Sequence, residues 1–217
     1  MLTILSSEDA ATLDVRRSRT AITAAGGHEA LLTMLRSDPP TTDMSMILAR
    51  EAAAAALANL CAQDDTRACV MEQEGVEVLV NRLARDESDE LLKYACGAIG
   101  NLARVSHSHV DNQDAIAAAG GIEKLIALAR SVGIRDNDGE AAEVESLLGS
   151  IDDPEADDGI ELNASIALRK LAIGHEANYR MMTELLTHSQ LMYFLYARLP
   201  NAEGTVPEGE VEGEAPP

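Results

Sequence analysis

Aromatic residues are almost missing from this chain. Among 217 residues there is no Trp, one Phe and four Tyr. A core built without rings must pack Leu, Ile, Val, Met and Ala, and Ala-rich stretches favour helices that approach closely. β-Branched residues are scattered singly, which argues against a sheet. No stretch approaches 18 uninterrupted apolar residues, so no transmembrane helix is read. The opening run from Met1 to Leu5 is too short for a signal peptide and lacks its basic flank. The three cysteines, Cys61, Cys69 and Cys96, are an odd number without framework spacing. They read as small buried thiols in a reducing, cytoplasmic compartment. No Cys-x-x-Cys, Gly-x-Ser-x-Gly, phosphate loop or dinucleotide fingerprint occurs, so neither a catalytic role nor a cofactor is expected.

Positive charge is also scarce, with 17 basic against 37 acidic residues and a net charge of -20. There is no basic stripe and almost no stacking ring, so nucleic acid is not an expected partner. The acidity is uneven. Residues 133–159 hold ten acids and one Arg, and residues 200–217 hold five Glu and no base. Both read as segments without a packed core: an acidic loop between two helices and a disordered Pro/Gly tail. Asp152–Gly159 is acidic enough to suggest calcium. An EF-hand register from Asp152 places Pro154 and Ala156 where ligand oxygens are needed, and one from Asp136 brings Gly139 two positions early. Within the loop, Val144–Leu148 is a short apolar patch that could dock a partner. His107 and His109, two apart, cannot close a metal site alone. Asn163-Ala164-Ser165 matches a glycosylation acceptor, but it falls within an expected helix of an intracellular chain.

What the chain does have is self-similarity. Three segments repeat: Ile22–Leu35, Val70–Leu83 and Ile116–Leu128. Each has a helical end, then a glycine (Gly27, Gly75 or Gly121), then an amphipathic helix with Leu31, Leu79 or Leu125 four residues on. Glycine suits such a corner because it tolerates positive φ and close helix approach. A longer helix follows each time: Ala49–Leu60, Leu91–Leu102 and Ile160–Leu171. In the second, Leu91, Ala95, Ala98, Ile99 and Leu102 share one face, and Tyr94, Gly97 and Asn101 share a neighbouring one.

Gly, then apolar residues, then Ala-Leu-x-Asn-Leu about 26 positions later resembles the armadillo repeat. Gly75 and Asn101 stand 26 apart. The first repeat carries six extra residues around Asp38–Asp43, and the third 23 extra between Gly121 and Lys170. The resemblance covers roughly residues 15–190. It implies an all-α, right-handed α-solenoid of three-helix repeats over residues 1–199, interrupted by the acidic insertion 133–159 and followed by the acidic tail 200–217. About three repeats suffice for a stable stack. Residues 2–19 read as a terminal helix starting at Ser6–Asp9. Glu176–Leu186 and Ser189–Leu199 read as the opening helices of a fourth repeat. Their Met181, Met182, Leu185, Leu186, Leu191, Met192, Phe194 and Leu195 would cap the stack or face a partner.

In the resemblance, the third helix of each repeat lines a concave groove, and an Asn on it bonds the backbone of a bound peptide. Asn59 and Asn101 stand there, with Lys170 in the third repeat; the other reading is an Asn that bonds a neighbouring helix. Four residues earlier, where the importin-α branch often carries Trp, stand Ala55, Gly97 and Ile166, so the groove is not of the type that takes a nuclear localisation signal. A smoother, wider groove suits a helix or a folded edge. Glu51, Lys93, Tyr94 and Arg104 would supply its polar rim. The resemblance implies a noncatalytic protein–protein interaction scaffold, a subunit of a larger intracellular assembly of cytoskeletal or ciliary kind. The alternatives are a soluble adaptor binding one peptide or helix in the groove, and the substrate-binding fragment of a longer armadillo-containing enzyme or motor.

Overall fold

Polar residues placed just before apolar runs start several of the helices. In the computed structural model, Asp43 accepts from Ser45 N at 2.9 Å, Ser88 from Leu91 N at 3.3 Å, and His175 Nδ1 from Asn178 N at 3.2 Å. Each satisfies an amide that the first helical turn leaves without an intrahelical acceptor. The structure describes residues 7–36, 42–84, 86–104, 111–133, 159–192 and 194–195. Among them no strand occurs. The helices are α1 (Ser7–Ala24), α2 (Gly27–Arg36), α3 (Met44–Leu60), α4 (Asp64–Glu72), α5 (Gly75–Asn81), α6 (Asp89–Leu102), α7 (Asp111–Ala118), α8 (Gly121–Gly133), α9 (Gly159–Ala172), α10 (Glu176–Leu185) and α11 (His188–Met192). They fall into three triplets and an opening pair.

The third helices α3, α6 and α9 pack side by side in that order, and the second helices lie behind them. Leu32, Leu57, Leu79, Ile99, Leu125 and Leu168 are fully buried between these layers. The terminal helix expected over residues 2–19 runs on to Ala24, so it serves as the first helix of repeat one. At the far end Met182, Leu186, Leu191, Phe194 and Leu195 are buried and close the stack, while Leu185 and Met192 stay exposed. Residues 134–158 of the acidic insertion, the tail, His107 and His109 lie outside the described residues.

Of the two reasons expected for the repeated glycines, close approach holds at them and positive φ does not. Positive φ falls one residue earlier, at Gly26 (76°), Glu74 (55°) and Gly120 (76°). Gly27, Gly75 and Gly121 are needed for close approach. A Cβ at Gly75 would meet Val70 Cγ1 at 2.4 Å and the Val70 carbonyl oxygen at 2.6 Å, and one at Gly121 would meet the Ile116 carbonyl oxygen at 2.8 Å. Glu74 is exposed and holds a left-handed backbone that its Cβ disfavours. Glu74→Gly is therefore expected to raise stability by about 0.5–1 kcal/mol, the relieved strain outweighing the added freedom of the unfolded chain. Urea unfolding measures it, and a fall would show that this strain is compensated.

Buried polar side chains fasten each triplet to the next. Arg67, 2% exposed, donates Nη1 to Cys61 O at 3.2 Å and also binds the Asp64 carboxylate. Asn112 donates to Leu102 O at 3.0 Å. Asn178 donates to Leu171 O at 3.1 Å and Gln113 O at 3.4 Å, and Gln113 donates to Lys170 O at 2.7 Å and Ile173 O at 3.2 Å. Several of these acceptors are end-of-helix carbonyls that lack an intrahelical donor. The first helix of each following unit thus caps the third helix before it.

Candidate protein-binding groove

Small residues let α3, α6 and α9 come close. A Cβ at Gly100 would lie 3.4 Å from Ala167. A Cβ at Gly97 would lie 3.4 Å from Asn163 Oδ1 and 3.9 Å from Ala58 Cβ, so Gly97 is flanked by both neighbouring helices. At that spacing the polar side chains of the three helices reach one another. Asn101 Nδ2 donates to Ala58 O at 2.8 Å, and Lys170 Nζ donates to Asn101 Oδ1 at 3.4 Å. A polar row therefore crosses α9, α6 and α3.

The two groove asparagines separate here. Asn101 is half-buried and its amide is taken up by a neighbouring helix, as the structural alternative requires. Its acceptor belongs to the last turn of α3, where carbonyls run out of amide partners. Asn59 is exposed and forms no side-chain hydrogen bond among the described residues. Asn101→Ala is expected to cost about 1 kcal/mol or more, because it leaves the Ala58 carbonyl unpaired, and Asn59→Ala within about 0.5 kcal/mol. Equal losses in thermal melts of the two variants would contradict this division.

The remaining rim residues form two groups. Ser88, the cap of α6, donates its hydroxyl to Glu51 Oε1 at 2.6 Å, which ties the start of α6 to the middle of α3. Lys93 lies 3.7 Å from Glu90 and 5.9 Å from the centre of the Tyr94 ring, whose body packs against the core. At the other end Arg104 is exposed just past the end of α6. Lys170 has its pKa pushed below the usual 10.5, first by burial and then by Arg104, Arg169 and Arg67. Asn163, expected only to lie within a helix, contributes to the groove floor beside Gly97. Nothing in its local sequence marks it; the register seven residues before Lys170 would have done so.

The Lys170 charge has a sign that can be tested. A lysine whose pKa falls on folding destabilises the fold wherever it is protonated. That effect is complete below the folded pKa and is gone above 10.5. Lys170→Met is expected to raise the melting temperature at neutral pH, with the gain shrinking as pH rises toward 10.5. Melts at a neutral and an alkaline pH check this, and a variant less stable at both would contradict it.

The cysteines take no part in the groove. Burial pushes the thiols of Cys61 and Cys96 up to about 12, with Arg67 partly offsetting it at Cys61. Neither is a thiolate at neutral pH. Among the described residues no group of His, Cys, Asp and Glu could hold a metal ion, and no helix is long and apolar enough to cross a membrane.

Solved structures and family descriptions share this architecture. Residues 48–102, from α3 through α6, match the HEAT-like repeat. A designed armadillo repeat protein superposes with a TM-score of 0.52 at 20% identity, over 87% of this chain and 82% of its own. The fold is that of an armadillo repeat solenoid. An engineered protein matches the solenoid at 26% identity and a TM-score of 0.48, over 82% of this chain and 80% of its own. A computationally designed armadillo repeat protein for modular peptide recognition matches it at 19% identity and a TM-score of 0.46, over 83% and 84%. No curated protein matches the solenoid. Solenoids of this kind are built of repeats that contact only their neighbours and offer extended binding surfaces.

Proposed function

We propose that this solenoid is a noncatalytic protein-interaction scaffold, built into a larger intracellular assembly, with cytoskeletal and ciliary complexes as the class to test first. The observation that carries this reading is apolar surface left open at both ends of the stack. Asn59 and Asn101 correspond in register, so Ala56 on α3 corresponds to Ala98 on α6. Ala98 is fully buried, whereas Ala56 is only half-buried and Asn59 is exposed. The face of α3 that corresponds to a covered face of α6 is therefore more open.

α3 also starts about one turn earlier than α6 relative to this register; the extra turn carries exposed Met44 and Met46, and Leu48 just after it is exposed as well. Leu48 occupies the position that Glu90 holds in the next repeat. At the other end Ile173, Tyr179, Leu185 and Met192 are exposed. Apolar surfaces on the first and last units of one stack fit a part held between neighbours better than a free adaptor.

The experiment is affinity purification of the natural chain and of a Met44→Lys, Leu48→Glu variant from the same cells, followed by mass spectrometry. The reading predicts a defined set of partners that the variant loses while its helical circular dichroism and melting temperature are kept. Identical partner sets would remove the role of the α3 end. A chain that comes down alone and sediments as a monomer would overturn the scaffold reading. The adaptor reading keeps one observation in its favour, the uncommitted amide of Asn59 on the groove side of α3.

A further inference from the structure

Each of the first two repeats seats one side chain over the glycine of the next. Leu32 Cδ1 lies 3.3 Å from where a Cβ would stand at Gly75, and Val80 Cγ2 lies 3.3 Å from the same point at Gly121. Both come five residues after their own repeat's glycine, and both are fully buried. Beside the first contact the hydroxyls of Thr23 and Thr66 meet at 2.7 Å. The two ends of the stack carry the unused halves of these contacts. In the last unit Met182, Leu191 and Leu195 are buried as Ile116, Leu125 and Ala129 are one repeat earlier, so Thr187 stands at the glycine position. Met192 then falls where Leu32 and Val80 stand, and it is 41% exposed. At the first repeat, the three described atoms nearest a Cβ at Gly27 all belong to Ile22 of the same repeat. Ile22 is 46% exposed, although its counterparts Val70 and Ile116 are fully buried. Ser18 is exposed at the position of Thr66, and Thr183 is exposed at that of Thr23.

We propose that a second copy of this chain docks head to tail on the first, its Gly27 and Ile22 receiving Met192 of the first copy. This rests on the reading of the stack's ends as binding surfaces and names their occupant. Continuity with the joints inside the chain carries that choice. The stack already makes this joint twice, and the last unit offers the same groups in the same register as the repeats before it. Single exposed apolar residues are ordinary on any surface. These differ because the missing counterpart of each stands at the opposite end of the same molecule. Charge agrees with the direction. Arg16, Arg17 and Arg19 stand on α1 beside a single Asp14, whereas α10 presents Glu176 and Glu184 with one Arg180. Pairing start to start would set the arginines against one another and bring two glycine holes together with no side chain to fill them. A joint whose two faces differ does not close after two copies, so it grows into longer rows or a ring. Among the described residues the last unit has no third helix. The row therefore keeps a gap in its groove-lining layer between α9 of one copy and α3 of the next.

The test is sedimentation velocity of the full chain over a roughly hundredfold range of concentration. The natural chain is expected to gain mass steadily with concentration and to pass beyond a pair. Ile22→Glu and Met192→Glu each spoil one face. Each alone is expected to stay monomeric across the range, with its helical circular dichroism and melting temperature kept. Mixed in equal amounts, the two are expected to form a pair and nothing larger, because each keeps the face that the other has lost. Ser18→Glu, at an exposed position on the same face, takes the place of Ile22→Glu should that variant not fold. A natural chain that stays monomeric throughout overturns the proposal. So does a single variant that associates like the natural chain, or a mixture that behaves as either variant alone. A monomer that still captures other proteins from cells overturns this proposal and leaves the scaffold reading standing. Association by the expected pattern with no other protein captured upholds it and reduces the assembly to copies of this chain.

Discussion

Replacing Gly75 by alanine is expected to lower the unfolding free energy by about 3 kcal/mol, the upper range for overpacking a buried site, and Gly75→Val is expected to leave no stable fold. A single methyl group at this position has nowhere to go. It would stand 2.4 Å from Val70 Cγ1, 2.6 Å from the Val70 carbonyl oxygen and 3.3 Å from Leu32 Cδ1. Side-chain atoms can turn away, but the carbonyl belongs to α4 and moves only with that helix. The strain is shared between two repeats, because Leu32 comes from the one before. The control is Gly174→Ala, where φ is +71° and no atom lies within 4 Å of the added Cβ. That change is expected to cost only the left-handed penalty, about 1 kcal/mol. Urea unfolding of both variants distinguishes crowding from backbone preference. Similar losses would mean that the repeated glycine serves φ after all.

Asn178→Leu is expected to cost about 2–4 kcal/mol, since it leaves two buried carbonyls, of Leu171 and Gln113, without their donor. The side chain is 2% exposed, so water cannot replace the amide without opening the packing. Leucine matches the size of asparagine well enough that no large cavity contributes. The loss should be local at first. Amide exchange is expected to quicken in α10 and at the end of α9, while α3 to α6 keep their protection, because each repeat leans only on its neighbours. Uniform quickening across the chain would show instead that the stack unfolds as one unit.

The fold was legible because its marks recur in order. Gly75 and Asn101 stand at the armadillo spacing, and the helices begin and end close to where the apolar period and the glycines place them. Which of the two reasons for glycine applied at which residue was not legible. Gly26-Gly27 and Gly120-Gly121 offer two candidates for one turn, and only the pair Glu74-Gly75 separates the residue that bends from the residue that is crowded. The fasteners between repeats were invisible for another reason. Arg67, Asn112 and Asn178 do one job with different side chains at different distances from the helix end they cap, so no period betrays them.

At the groove, the positions of Asn59, Asn101 and Lys170 could be read from the register. Their commitments could not. Whether an asparagine is spent on a neighbour depends on how near that neighbour stands, and Asn59 lacks the helix that Asn101 has. The cationic end was legible only in part. Lys170 and Arg104 stood out, but that burial, Arg104, Arg169 and Arg67 act together on Lys170 is a property of three dimensions.

The glycines and alanines between α3, α6 and α9 also govern the shape of the arc. The inner layer is spaced by Gly97, Gly100, Ala58 and Ala167, while the second helices behind it stand farther from one another. Thin joints on one side and thick joints on the other make each repeat a wedge, and a row of wedges closes toward its thin side. The radius of this protein is thus written in methyl groups. A partner lying along the groove meets a curvature chosen by residues it never touches.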